Sequence, residues 1–172
     1  MKKCYLEGAK ICTAHGVNGL VKVEHLCDSA KVLTGSKRVF IKNKDGSYTE
    51  RAVISASVMG AFVLMNIEGI NSREEAIAHR GAMLYLHRDD IPLAKGAMFI
   101  ADMIGLPVLH SESGEPLGEI SDVSDIAGRR IYTVKYNGRD VLRPDVPEFI
   151  KEINEDSGMK VLPIPGLFDD EV

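Results

Sequence analysis

A mainly β chain organised as two small domains is predicted by three observations. Its segments are short and either β-branched or alternating, turn signals separate them at hairpin spacing, and the charge changes sign near residue 92. The 172 residues are 45% hydrophobic and 27% charged, a balance that builds a core and excludes disordered, collagenous or disulfide-dominated designs. At about 150 residues per domain, this length admits one domain or two compact ones.

The elements follow in order. Gly19 to Leu26 and Arg38 to Lys42 read as strands, and Lys44-Asp45-Gly46-Ser47 supplies a turn into a return strand from Tyr48 to Val58. Met59-Gly60 then turns the chain into the apolar run 61–67, short enough for a buried strand. Ser72-Arg73-Glu74-Glu75 is a capping box, so a short helix is predicted from Arg73 to Arg80, closed by Gly81 and packing through Ala76 and Ile77. Leu84-Tyr85-Leu86 resumes as a strand.

The charged, Pro- and Gly-bearing stretch from His87 to Gly96 marks a boundary, placing a first domain at 1–91, a linker at 92–97 and a second domain at 98–172. The second domain restarts with the apolar run Met98 to Gly105 and continues as closely spaced hairpins: 106–110, 116–124, 131–136 and 141–142. The turns fall at Ser113-Gly114, Ala127-Gly128 and Asn137-Gly138. A last hairpin, 149–153 with 159–164, is expected to close a small barrel, because short antiparallel strands otherwise leave open edges. Met98-Phe99-Ile100 cannot all face one core on an alternating strand, so Phe99 serves either as an interdomain plug or as an exposed anchor for a partner.

Residues 1–92 carry 13 Lys and Arg against 10 Asp and Glu, a net of +3; residues 93–172 carry 8 against 15, a net of −7. An acidic field draws basic partners and repels phosphate, so the first half is the better face for nucleic acid, although acidic solubilisation alone accounts for the second half equally well. Five Phe, five Tyr and no Trp supply an interleaved basic and aromatic surface poorly. The N-terminus reaches charge and glycine before any apolar run of leader length, and no stretch approaches the ~18 apolar residues of a membrane span, so a cytoplasmic protein is expected. The three cysteines, Cys4, Cys12 and Cys27, then read as reduced thiols.

Chemistry is sparse. The chain has no nucleophile elbow, zinc helix, phosphate loop or dinucleotide fingerprint. Cys12-x-x-His15 and His25-x-Cys27 offer two thiols and two imidazoles that would suit zinc. Spacing three does not share a strand face, however, and small buried thiols are the simpler reading. The glycines of 8–23 frame a loop with His15 at its tip and Lys10 and Lys22 on its flanks. That pattern suits close backbone approach to phosphate, and a tight hairpin with a solvated histidine explains it too.

Several motifs lie in order over nearly the whole chain: Gly8-x-Lys10-Ile11-x-x-x-His15-Gly16-Val17-x-Gly19-x-Val21-Lys22-Val23, Ser72 to Ala76 leading into Arg80 to Tyr85, Asp102 to Val108, Gly118-Glu119-Ile120 and Pro165-Gly166-Leu167-Phe168. In these the chain resembles the RimM family of ribosome maturation factors. The resemblance implies an N-terminal barrel like that of translation factors and reductases, with one short helix, followed by a PRC barrel. It further implies a non-catalytic, monomeric, cofactor-free and metal-free assembly factor. Such a factor binds the immature 30S subunit, 16S ribosomal RNA and small-subunit ribosomal protein nineteen, and promotes head folding and RNA maturation.

On this resemblance, Met98, Phe99, Ile100, Asp102, Ile104 and Gly105 are expected to receive the ribosomal protein, with Met98-Phe99 standing where relatives often carry two tyrosines. Lys10, His15, Gly16, Gly19, Lys22 and Arg80 are expected to meet RNA or the subunit. Two other readings compete: a flavin-holding barrel oxidoreductase, and a PRC scaffold with a non-ribosomal client.

Overall fold

The computed structural model describes residues 2–27, 29–93 and 97–162. The Pro165 to Phe168 motif, the acidic run Asp169-Asp170-Glu171, the end of the last expected strand and the centre of the 92–97 linker lie outside the described residues. The chain divides into two compact units, Met1–Leu93 and Ala94–Val172.

In the first unit, β1 (Tyr5–His15), β2 (Leu20–His25), β3 (Arg38–Lys42), β4 (Tyr48–Met59), β5 (Phe62–Ile67) and β6 (Met83–His87) form a closed antiparallel barrel in the order β1-β2-β5-β4-β3-β6. Closure pairs the strand edges that an open sheet would expose. Alternate residues point inward, so Ile11, Val21, Val23, Val63, Met65 and Leu84 are fully buried and their sequence neighbours face out.

Two helices cap the strand ends. α1 (Ala30–Gly35), which the strand reading passed over, starts where the Ser29 hydroxyl accepts from the Lys31 amide; it buries Leu33 and packs on β4 and β5. A helix of six residues is too short to show a periodic signal in the sequence. α2 (Arg73–Ala78) is two residues shorter than expected. The Ser72 hydroxyl accepts from the Glu75 amide at 3.2 Å, while the Glu75 carboxylate reaches past the cap to the Asn71 amide at 2.6 Å. Ala76 packs inward, but Ile77 does not: it is 49% exposed.

In the second unit, α3 (Ile100–Met103) precedes β7 (Pro107–His110), β8 (Pro116–Ile126), β9 (Arg129–Tyr136), β10 (Arg139–Pro144), β11 (Ile150–Asn154) and β12 (Gly158–Val161). They form a six-stranded sheet in the order β10-β9-β8-β7-β12-β11, curled around Val108, Ile120, Tyr132, Val134, Met159 and Val161. The meander from β7 to β10 follows the turn signals. Among the described residues β10 and β11 stand at the two ends of this order with no pairing between them, so the last hairpin extends the sheet without the expected closure. The pairing that joins that hairpin to the meander, β12 parallel to β7, carries no such local signal.

The strand expected to restart at Met98 is instead an extended segment leading into a single helical turn. Spacing three brings Ile100 and Met103 to one side, where both reach the core; strict alternation would have sent one of them outward.

Gly158 secures the parallel pairing. Its φ is +76°, and a Cβ there would lie 2.3 Å from the Pro107 carbonyl oxygen. We expect Gly158→Ala to destabilise the full chain by well over the ~1–2 kcal/mol that left-handed backbone alone costs an L-residue. Gly114→Ala, at φ +74° with open space around it, should stay within that range. Urea unfolding of both variants checks the contrast.

Candidate functional site

The barrel positions the first candidate surface. In the β1/β2 register, Lys10 faces Glu24, Thr13 faces Lys22 and His15 faces Leu20, with an irregularity between Ile11 and Thr13. Because Ile11, Val21 and Val23 point inward, this set lies on the outer face. The two loop glycines have different roles. Gly16, at φ +69°, is open to solvent, whereas Gly19 is buried, and a Cβ on it would meet the Ile70 carbonyl oxygen at 2.3 Å. Gly19 therefore seats the loop on the chain that leads into α2 and does not present its backbone to a partner.

Arg73 is the residue that sequence reasoning missed. Its guanidinium donates to the Gly16 carbonyl at 3.1 Å and so straps α2 to the loop. The capping box made α2 visible, but which loop its first residue touches is tertiary information. Val17, between the two glycines, is 72% exposed. Behind α2, the Gly81 amide donates to the Ile11 carbonyl at 2.8 Å and the Ile11 amide to the Ala82 carbonyl at 2.9 Å, which brings exposed Arg80 alongside β1. Lys10, His15, Gly16 and Arg80 are thus all exposed, His15 and Gly16 at the loop and Lys10 and Arg80 further along β1, while half-buried Lys22 holds its ammonium 3.9 Å over the Phe62 ring.

The expectation of buried thiols needs correction. The cysteines are free, but none is buried: Cys4 is exposed, and Cys12 and Cys27 are half-buried. The His25 ring contacts the Cys27 carbonyl and the Cys12 thiol the Lys10 carbonyl, and among the described residues no group of three His, Cys, Asp or Glu could hold a metal. Separately, several of the scarce aromatics gather on the first unit. Tyr5 stacks on Tyr48 with centroids 4.0 Å apart, and Phe40, Tyr85 and His87 pack edgewise or tilted around them. Arg38 lies over Phe40 and bonds Asp90 at 2.7 Å, holding that carboxyl below its ordinary range.

The second candidate surface is the segment before β7. Met98 and Ile100 pack against the core and Met103 is buried. Phe99 and Asp102 are half-buried, while Gly105 and the 48% exposed Ile104 face outward. A hollow of about 270 Å³ lies beside Met98, lined also by Met103, Arg130, Tyr132, Asp145 and Glu152. Another of about 360 Å³ lies beside Gly105, with Pro107, Gly118, Glu119 and Lys135. The segment 98–105 therefore has a concavity at each end.

In the first hollow, the Tyr132 hydroxyl donates to the Asp145 carboxylate at 3.2 Å. Burial, aided by the Asp145 charge and opposed by Arg130, pushes the Tyr132 hydroxyl above its ordinary value of 10.0. A proton held more tightly in the folded state adds stability that is complete below pH ~10 and lost as pH rises through the raised value. We expect thermal unfolding to fall away above pH ~10 and the decline to flatten in Tyr132→Phe, which should cost about 1 kcal/mol at neutral pH through the lost hydrogen bond.

Two small β units, one carrying a cation-flanked loop and the other an apolar segment between shallow hollows, define a protein built to present surfaces. The chain belongs to the RimM family: the family's N-terminal domain matches residues 6–91 and its PRC barrel domain residues 100–166. It is 37% identical to the ribosome maturation factor RimM of Clostridium botulinum strain Hall over 153 residues, covering 88% of this chain and 89% of that protein. It is 32% identical to the factor of the same name from Prosthecochloris aestuarii over 158 residues, covering 91% and 92%. The crystal structure of a Pseudomonas aeruginosa RimM, described as a 16S ribosomal RNA processing protein, aligns with 22% identity and a TM-score of 0.47 over 91% of this chain and 96% of that one. No helix among the described residues is long and apolar enough to cross a membrane.

Proposed function

We propose that the chain is a monomeric, non-catalytic assembly factor of the cytoplasm. It docks on the immature 30S subunit, receives small-subunit ribosomal protein nineteen through its second domain and promotes folding of the 30S head, so that 16S RNA matures on time. The domains act as 1–91 and 98–172, joined by a short linker at 92–97. The observation that carries this reading is the match of both RimM domains, in order, along nearly the whole chain.

Charge supports the division of labour. The −7 half draws a basic ribosomal protein, and the +3 half, with Lys10, His15 and Lys22 on the outer face of β1 and β2 and Arg80 exposed after α2, is the side suited to phosphate. At physiological salt, screening over about 8 Å limits these charges mainly to steering, so affinity needs apolar anchors. Phe99 is the leading one. Met98 and Ile100 are committed to the core beside it, which leaves Phe99, Asp102, Ile104 and Gly105 as the contact edge.

Sedimentation of a cell extract tests the reading. The chain should travel with free small subunits and be absent from translating ribosomes, and its depletion should raise precursor 16S RNA. Co-sedimentation with neither subunit, or unchanged precursor, overturns it. Phe99→Ala should weaken binding of purified ribosomal protein nineteen more than tenfold, measured by calorimetry, while leaving the unfolding of the first unit unchanged. Unaltered affinity removes Phe99 from the anchor role.

A further inference from the structure

We propose that the β1–β2 loop and α2 together form a preformed apolar prong that seats in RNA, with Val17 and Ile77 as the inserted side chains and Arg73 and Arg80 as the phosphate contacts on either side. This rests on the reading that the first unit faces RNA, and it adds three residues, Val17, Arg73 and Ile77, that the expected set lacks.

Val17 is 72% and Ile77 49% exposed, so neither aliphatic side chain serves the barrel core. Their carriers are nonetheless fixed: Gly19 is pressed on the Ile70 carbonyl, and the Arg73 guanidinium holds the Gly16 carbonyl at 3.1 Å. Arg73 and Ile77 share a helix face at spacing four, and the Arg80 amide donates to the Ile77 carbonyl one turn later, at 3.0 Å. An exposed isoleucine thus lies between two exposed arginines, next to the loop that carries Val17.

The occupant follows from charge and shape. Arg73 is bonded to the Gly16 carbonyl next to Val17, Arg80 follows Ile77 by one turn, and His15 ends β1 at the loop base; Lys10 lies further along the outer face of β1, opposite Glu24. Of the acidic neighbours on α2, Glu75 is turned back onto the Asn71 amide, and Glu74 points about 100° away from Arg73. Cations around a small apolar tip fit a nucleic-acid backbone whose groove or unstacked bases accept an aliphatic wedge. RNA offers these in its shallow minor groove and in its loops. Because the loop is already held, binding does not have to order it.

The test uses the full chain with two probes: protein-free precursor 16S RNA, and immature 30S particles from depleted cells. The double variant Val17→Ser, Ile77→Ser should bind both probes about tenfold more weakly, with an unchanged salt slope, because no phosphate contact is lost. Arg73→Gln should weaken binding and reduce the slope by about one. Thermal unfolding should match the parent in the double variant, since both sites are exposed. Parent-like binding by the double variant overturns the prong. If loss appears on particles but not on free RNA, the tip meets protein and the proposal fails. If Lys10→Glu, Arg80→Glu also binds free RNA like the parent, the RNA-facing reading itself falls.

Discussion

The structure depends on the division of a 172-residue chain's apolar residues between two small cores. Units of 93 and 79 residues bury a modest fraction of their surface, so each must commit most inward strand positions to packing. Ile11, Val21, Val23, Val63 and Met65 do so in the first unit, and Val108, Ile120, Val134 and Met159 in the second. Little remains to line a deep cleft. What is left for function is the outer face, the loops and the segment entering the second unit.

That constraint sets the character of both candidate surfaces. On the barrel, the same alternation that buries Ile11 and Val21 displays Lys10 and Lys22, so the cationic face follows from core formation. Before β7, the helical turn directs Ile100 and Met103 inward and leaves Phe99 and Ile104 at the edge. The charge difference between the halves lies over these two geometries, and the proposed function assigns steering and anchoring to different residues.

Local chemistry was legible in the sequence. The β-rich composition of 38–42, the short apolar run 61–67, the Ser72–Glu75 cap and the Asn137-Gly138 turn each report a preference acting within a few residues, and each appears in the fold. Features decided over longer separations were not. The parallel β7/β12 pair joins segments some fifty residues apart, α3 forms because two residues must reach one core, and Gly19 differs from Gly16 only through contact with Ile70. The candidate site shows the same limit. Lys10, His15 and Arg80 could be named from the motifs, but the strap from Arg73 to Gly16 spans 57 positions and belongs to the tertiary structure alone.

The central claim is that two separate surfaces, one on each unit, dock the chain on assembling subunits. A double-mutant cycle on binding to immature 30S particles tests it most directly, combining Arg80→Glu in the first unit with Phe99→Ala in the second. Independent surfaces that share no partner predict that the two losses multiply, within about twofold. A double variant that binds no more weakly than the weaker single variant would contradict the account, because the two residues would then be acting through one contact.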